Sequence, residues 1–255
     1  MFDLLSAVAL TASAVIVIVT LCLLFARTPV ERAIGALVLA LWFVAVVALG
    51  ATGALNNEHG LGTPGLGLSV MLPLATLAML GFGTGAGRAR LEKASQPLLI
   101  GVHGVRVLGV CFVLLQAAHR LPAPFAPIAG WGDIAIGLTA LPMLLWVARA
   151  GAAARAGLIV WELLGLLDLV AAIGLGATSS PGPIRLFFEE PGSAIMTSLP
   201  WILIPSFIVP ILAFTHLVSL HRLFGAANPR AIGEQLAPEI GRASSTASLR
   251  KCRRS

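Results

Sequence analysis

The sequence predicts an all-α integral membrane protein, a bundle of seven transmembrane helices with its N-terminus outside and its C-terminus in the cytoplasm. Three observations predict it: an apolar composition, seven apolar stretches of membrane length, and basic residues gathered on one side of those stretches. Of 255 residues, 58% are hydrophobic and 11% charged, with mean hydropathy +0.95. A soluble domain carries about 25% charge. A helix needs roughly 20 apolar residues to cross a hydrocarbon core of roughly 30 Å. The stretches fall near 4–26, 33–55, 66–82, 98–118, 125–147, 158–177 and 199–220. They lack the short alternating pattern of barrel strands.

The first stretch is preceded by Met1, Phe2 and Asp3, with no Lys or Arg. A cleaved signal peptide carries a positive n-region, so this stretch is expected to be a retained first helix. The third is interrupted by glycines and Pro73, and the fifth contains Pro142. The seventh contains Pro200, Pro205 and Pro210. Pro200 suits a first turn, whereas the other two lack backbone donors within a helix and should kink or break it. Such breaks are tolerated in membranes where water or neighbouring helices satisfy the freed groups. The seventh has no Lys for a retinal Schiff base.

Basic residues orient the chain. Arg27 and Arg32 lie between stretches one and two. Arg88, Arg90 and Lys93 follow the third, and Arg149 and Arg155 separate the fifth and sixth. Arg222, Arg230, Arg242, Arg250, Lys251, Arg253 and Arg254 follow the seventh. This puts 14 of the 17 Lys and Arg on one side; Arg120 and Arg185 fall on the other and Arg106 lies within a span. The positive-inside rule makes the first side cytoplasmic.

Residues 1–225 are expected to form the membrane domain and 226–255 a basic cytoplasmic tail. Asn228 and Pro229 suit a helix start, and Ile232 and Leu236 could give that helix an apolar face. Beyond Gly241 the Ser, Arg and Lys composition reads as disorder. The tail accounts for much of the net charge of +6. It should be drawn to anionic inner-leaflet lipid, and no nucleic-acid partner is expected. The external loop from 178 to 198 carries three prolines and an apolar run beside Glu189 and Glu190, which suits either a linker or a lid over a cavity. Cys22 and Cys111 lie in apolar stretches as small core residues, and Cys252 lies in the tail.

The polar centre consists of His103, Arg106, Asp133, Glu162, Asp168 and His216. Ionisable groups inside a membrane are costly and mark bundle interiors, cavities and ion paths. His103 and Arg106 share a face of the fourth span. Glu162 is the expected partner of Arg106 by depth, with His103 and His216 beside them in one cytoplasmic-side cluster. Gly130, Asp133 and Gly137 share a face of the fifth span, where glycines allow close helix approach. Asp168 lies near mid-membrane beside Gly165 and Ala172. The two aspartates suit a proton relay or a cation-coupled carrier, or helix-to-helix hydrogen bonds. His103 and His216 could serve as axial ligands of a haem, but CxxCH is absent, and HExxH is absent too. No cofactor or metal is expected.

The run from Arg106 to Gly137 has Arg106, Gly109, Leu121-Pro122, Phe125-Ala126 and Gly130 through Asp133 in the order R-x-x-G … LP-x-x-FA-x-x-AG-x-GD, and WELLGLLDLV follows at 161–170. This pattern resembles an uncharacterised family of bacterial multi-pass inner-membrane proteins. The resemblance implies an integral membrane fold in the bacterial inner membrane and carries no activity. Three functions remain open on the residues themselves: a small-solute or proton-coupled transporter, a membrane-embedded enzyme or haem/redox protein, and an accessory or assembly protein. Whether the chain is an enzyme, and its oligomeric state, stay open as well.

Overall fold

The computed structural model describes residues 1–225 apart from His59; the tail and its proposed helix, disorder and lipid contact lie outside the described residues. The described residues are helical and contain no strand. Among the described residues, six helical stretches are long and apolar enough to cross a membrane, over 2–25, 29–52, 62–82, 96–117, 125–179 and 204–225.

α1 (Phe2–Phe25) and α2 (Pro29–Thr52) form the first pair. α2 begins at Pro29, four residues before its hydropathy suggests, because its N-terminus is built as a capping box. The Thr28 hydroxyl accepts the Glu31 N–H at 3.1 Å, and the Glu31 carboxylate accepts the Thr28 N–H. Each bond satisfies a donor that the first turn would otherwise leave open. Gly53 ends α2 with φ +66, a conformation that favours glycine. α3 (Gly62–Phe82) and the short α4 (Gly85–Leu91) follow.

The fourth stretch departs from a single α-helix. α5 (Gln96–Gly101) passes into a 3-10 segment (Val102–Gly109), then into α6 (Val110–Ala117). In a 3-10 helix residues three apart eclipse one another, so His103, Arg106 and Gly109 stand in one line. Arg106 and Gly109 of that line meet α7 (Phe125–Ala150). A Cβ on Gly109 would lie 2.7 Å from the Gly130 carbonyl oxygen, and one on Gly137 would lie 2.9 Å from the Arg106 carbonyl carbon. The close approach expected at Gly130 and Gly137 is thus present, with Gly109 as its counterpart on the facing segment. It brings Arg106 onto Asp133.

The 55-residue stretch 125–179 turns at Gly151, which has φ +52, and continues as α8 (Arg155–Ser179). Gly132 meets Asp168, Thr139 meets Trp161, Trp146 meets Gly157 and Phe125 meets Gly176. Numbers rise on one helix as they fall on the other, so α7 and α8 form an antiparallel hairpin.

The last stretch is the centre of the bundle. Of its apolar window 78% is buried in protein, against 11% for α2, whose Leu37, Val38, Leu41 and Val44 point outward. The expected proline break takes the form of a π-helical turn over Ile204–Ile208, with Pro205 in it, followed by α9 (Val209–Gly225). Pro210 sits in the first turn of α9. The hydroxyl of Ser206 in the π turn bonds that of Ser69 at 2.7 Å, which ties the broken region to α3. Phe207 packs between Trp42 and Phe43, and Phe214 between Phe25 and Phe82. Packing of this kind holds helices together in lipid, which gives little hydrophobic drive of its own.

Polar ties sort the helix ends into two groups. Asp3 pairs with Arg120, while Asn57 and Thr63 bond Ser180. At the other set of ends Glu31 pairs with Arg90, Arg222 bonds Gln96, and Arg155 bonds the Leu223 carbonyl.

Candidate functional site

All six residues of the polar centre come together, carried by four segments. Arg106 is the hub and is almost fully buried. Its Nε donates to Asp133 Oδ1 at 2.6 Å, its Nη2 donates to Asp168 Oδ2, and its Nη1 donates to the Gly165 carbonyl at 3.0 Å. Nη1 also lies 3.2 Å from His216 Nε2. A planar guanidinium offers five donors in a fixed fork, and these contacts occupy it on three sides.

The expected Arg106–Glu162 pair is not formed; Arg106 pairs with Asp133 and Asp168 instead. The reason is axial register: Gly109 seats on Gly130, and Gly137 on the backbone of Arg106 and Val107, which sets the fourth stretch against α7 with the guanidinium at the level of Asp133. The longer rise of the 3-10 segment adds only about 2 Å over the four steps from Val102 to Arg106. On α8, Asp168 lies six residues beyond Glu162, about 9 Å further along the axis. That places Asp168, and Asp133 across the α7–α8 hairpin, at the level of the guanidinium.

Glu162 lies on the other side of the hub and is fully buried. Its Oε2 is 2.5 Å from His216 Nδ1, and its Oε1 accepts the Ser219 hydroxyl at 2.6 Å. Ser219 in turn accepts from Gln96 at 2.6 Å, and Gln96 accepts from Arg222 at 3.1 Å. A polar chain therefore runs from Arg222 at the end of α9 through Gln96, Ser219, Glu162 and His216 to Arg106 and the two aspartates.

His103 stacks on His216 with centroids 3.8 Å apart and planes 21° from parallel, and it meets Trp161 in a T-shaped contact with centroids 5.6 Å apart. A haem between two axial imidazoles needs the macrocycle to pass between the rings. Rings stacked face to face leave no such space, so the haem alternative does not fit this geometry.

Two glycines make room for the cluster. A Cβ on Gly165 would stand 2.6 Å from His216 Nε2 and 3.3 Å from Arg106 Nη1, and one on Gly132 would overlap the Asp168 carboxylate.

A cavity of about 80 Å³ reaches Asp133 from between α3, α7, α8 and the π turn. Its walls are apolar, with Phe112, Phe125, Leu169 and Ile204 among them, and Thr63, Ser193 and Met196 also line it. Ser193 and Met196 belong to the loop before the last stretch, so that loop lines the cavity. A smaller space of about 30 Å³ adjoins both Arg106 and Asp133.

Sequence reasoning missed Gln96, Ser219, Thr215 and Trp161. Ser219 lies three residues beyond His216 on one face of α9, and Trp161 is next to Glu162. Both positions are signals in the sequence, but serine and tryptophan are ordinary in membrane helices, so neither is marked out by type.

No curated protein and no solved structure matches this chain. A family model described as Domain of unknown function (DUF8737) matches residues 63–224, which include all six residues of the polar centre, and the chain belongs to that family.

Proposed function

We propose that this protein is a proton-coupled carrier of a small solute, built of seven crossings with the N-terminus outside and the C-terminus in the cytoplasm of a bacterial inner membrane. The observation that carries the reading is the buried hub: a guanidinium between two acidic stations, one of which opens onto a cavity. Two carboxylates, Asp133 and Asp168, face one guanidinium, and a third, Glu162, is joined to it through His216. With neutral imidazoles and all three carboxylates ionised, the cluster would be two charges from neutrality. Uncompensated charge in a low-dielectric bundle is expensive, so bound protons or a cation complete it. Gain of a proton at Asp133 or Asp168 weakens that carboxylate's hold on Arg106. Proton occupancy is thereby coupled to the packing of the fourth stretch against the α7–α8 hairpin, and to the cavity beside Asp133.

The seven crossings follow from counting α7 and α8 as separate spans, which their antiparallel pairing supports. The orientation is supported by the basic residues and by the two groups of polar ties at the helix ends. Single cysteines placed in a cysteine-free background test it. Residues 58 and 185 should label from outside, while 90 and 149 should be protected; labelling at 149 with protection at 185 would reverse the assignment.

Carriage is tested by reconstituting wild type and Asp168→Asn in liposomes and following internal pH during a screen of small solutes. Asparagine keeps an acceptor for Arg106 while removing the exchangeable proton. Solute-dependent proton movement is expected in wild type and should be lost in the variant. Equal fluxes would remove Asp168 from the mechanism. Absence of flux across the screen would favour the accessory role, with the charges serving to lock the helices.

A further inference from the structure

His103, Glu162 and His216 are fully buried, and each can bring one ligand atom within 4.8 Å of the other two. They come from three separate segments: the 3-10 helix, α8 and α9. Donor chemistry assigns their hydrogens. A guanidinium only donates, so His216 Nε2 accepts from Arg106 and Nδ1 carries the ring hydrogen toward Glu162. The Thr215 hydroxyl gives its single hydrogen to the Leu212 carbonyl at 2.8 Å, so it accepts from His103 Nε2 at 3.3 Å. The ring hydrogen of His103 is therefore on Nε2. Its Nδ1 is a bare lone pair, buried and without a hydrogen-bond partner among the described residues. A buried polar atom in this state is uncommon and points to a water or an ion.

We propose that His103, Glu162 and His216 form a binding site for a divalent transition cation of the zinc type. Two imidazoles and one carboxylate are a donor set that zinc takes with three protein ligands and a fourth position left for water or another oxygen. The Ser219 hydroxyl bonds the carboxylate of Glu162 and would orient it as a ligand. Calcium and magnesium prefer all-oxygen shells, which this site does not offer. A dication also supplies the two positive charges that bring the cluster to neutrality.

Binding requires a defined rearrangement. The His103 ring must turn off its stack with His216, and among the described residues the long contact to Thr215 is the hydrogen bond that opposes this. On His216 the cation takes Nδ1, and the ring hydrogen moves to Nε2. The number of protons is unchanged, but Nε2 becomes a donor and the bond from Arg106 is lost. Arg106 keeps Asp133, Asp168 and the Gly165 carbonyl. Metal occupancy is thus linked to the hub without displacing it. The inference goes beyond the carrier reading and does not require it.

The test uses the purified full-length protein in detergent, stripped with chelator and equilibrated with Zn²⁺. Wild type should retain one zinc per chain, and Cys252→Ser should retain it equally. His103→Gln and Glu162→Gln should each weaken binding roughly tenfold or more, since even supporting residues of metal sites carry about that effect. His103→Gln disturbs the hydrogen bonding least, and monodisperse elution of both variants establishes that they fold. Co²⁺ in place of zinc should give visible absorption bands in wild type that His103→Gln removes. No bound zinc in wild type, or equal binding in wild type and both variants, would overturn the site. Proton flux measured in chelator-stripped liposomes keeps the two proposals apart. Flux without metal binding sinks this inference alone, and metal binding without flux sinks only the carrier.

Discussion

Arg106→Ala is expected to lower the stability of the bundle by about 3–5 kcal/mol, the usual cost of breaking a buried ion pair by removing one partner. The substitution leaves Asp133 and Asp168 facing each other without their shared cation. It also frees the Gly165 carbonyl and removes the donor from which His216 Nε2 accepts. The measurement is the unfolding midpoint of purified protein in mixed micelles, together with the yield of monodisperse protein. A double-mutant cycle with Asp168→Asn separates the pair from its surroundings. Strong non-additivity is expected for Arg106 with Asp168 and with Asp133. A smaller coupling is expected for Arg106 with Glu162, because His216 lies between them. A direct coupling of Arg106 to Glu162 as large as that to Asp168 would contradict the geometry. Arg106→Lys should rescue little, since an ammonium cannot present the fork that reaches both aspartates and the carbonyl together.

Glu162→Ala is expected to be nearly as damaging, by about 2–4 kcal/mol. It strips the acceptor from the His216 Nδ1–H and from the Ser219 hydroxyl, and it opens a void at a fully buried position. An unsatisfied buried donor costs about 1–3 kcal/mol, and the void adds to it. Glu162→Gln keeps the shape and one acceptor, so it should recover much of the loss. The readout is the same unfolding midpoint. If alanine and glutamine behave alike, and both like wild type, Glu162 is not the keystone of the second station.

The two substitutions probe different halves of one network, and the sequence separates these halves poorly. His103, Arg106, Asp133, Glu162, Asp168 and His216 stand out individually because ionisable groups inside apolar runs are rare. Their pairing is another matter. Counting residues from span ends assigned Arg106 to Glu162, and the packing register of the fourth stretch on α7 brought it to the aspartates. The glycines at 130 and 137 pointed to a close contact on the right face of α7. The partner of that contact, Gly109, lies in a segment whose hydropathy is indistinguishable from an ordinary α-helix. The haem alternative failed on ring orientation, which no spacing encodes.

By itself the sequence determined the helical membrane class, the approximate extents of the apolar helices and the identities of the costly polar residues. These are local properties. In hydrocarbon a backbone must satisfy its own hydrogen bonds, so an apolar run of sufficient length becomes a helix whatever its neighbours are. Only the tertiary structure decided which helices touch, the 3-10 and π segments, and the separation of the polar centre into an Arg106–aspartate hub and a Glu162–His216 station. Those depend on axial register and on rotation about each helix axis. Both are set by side-chain packing between segments far apart in the chain, such as Gly109 on Gly130 and Gly132 on Asp168.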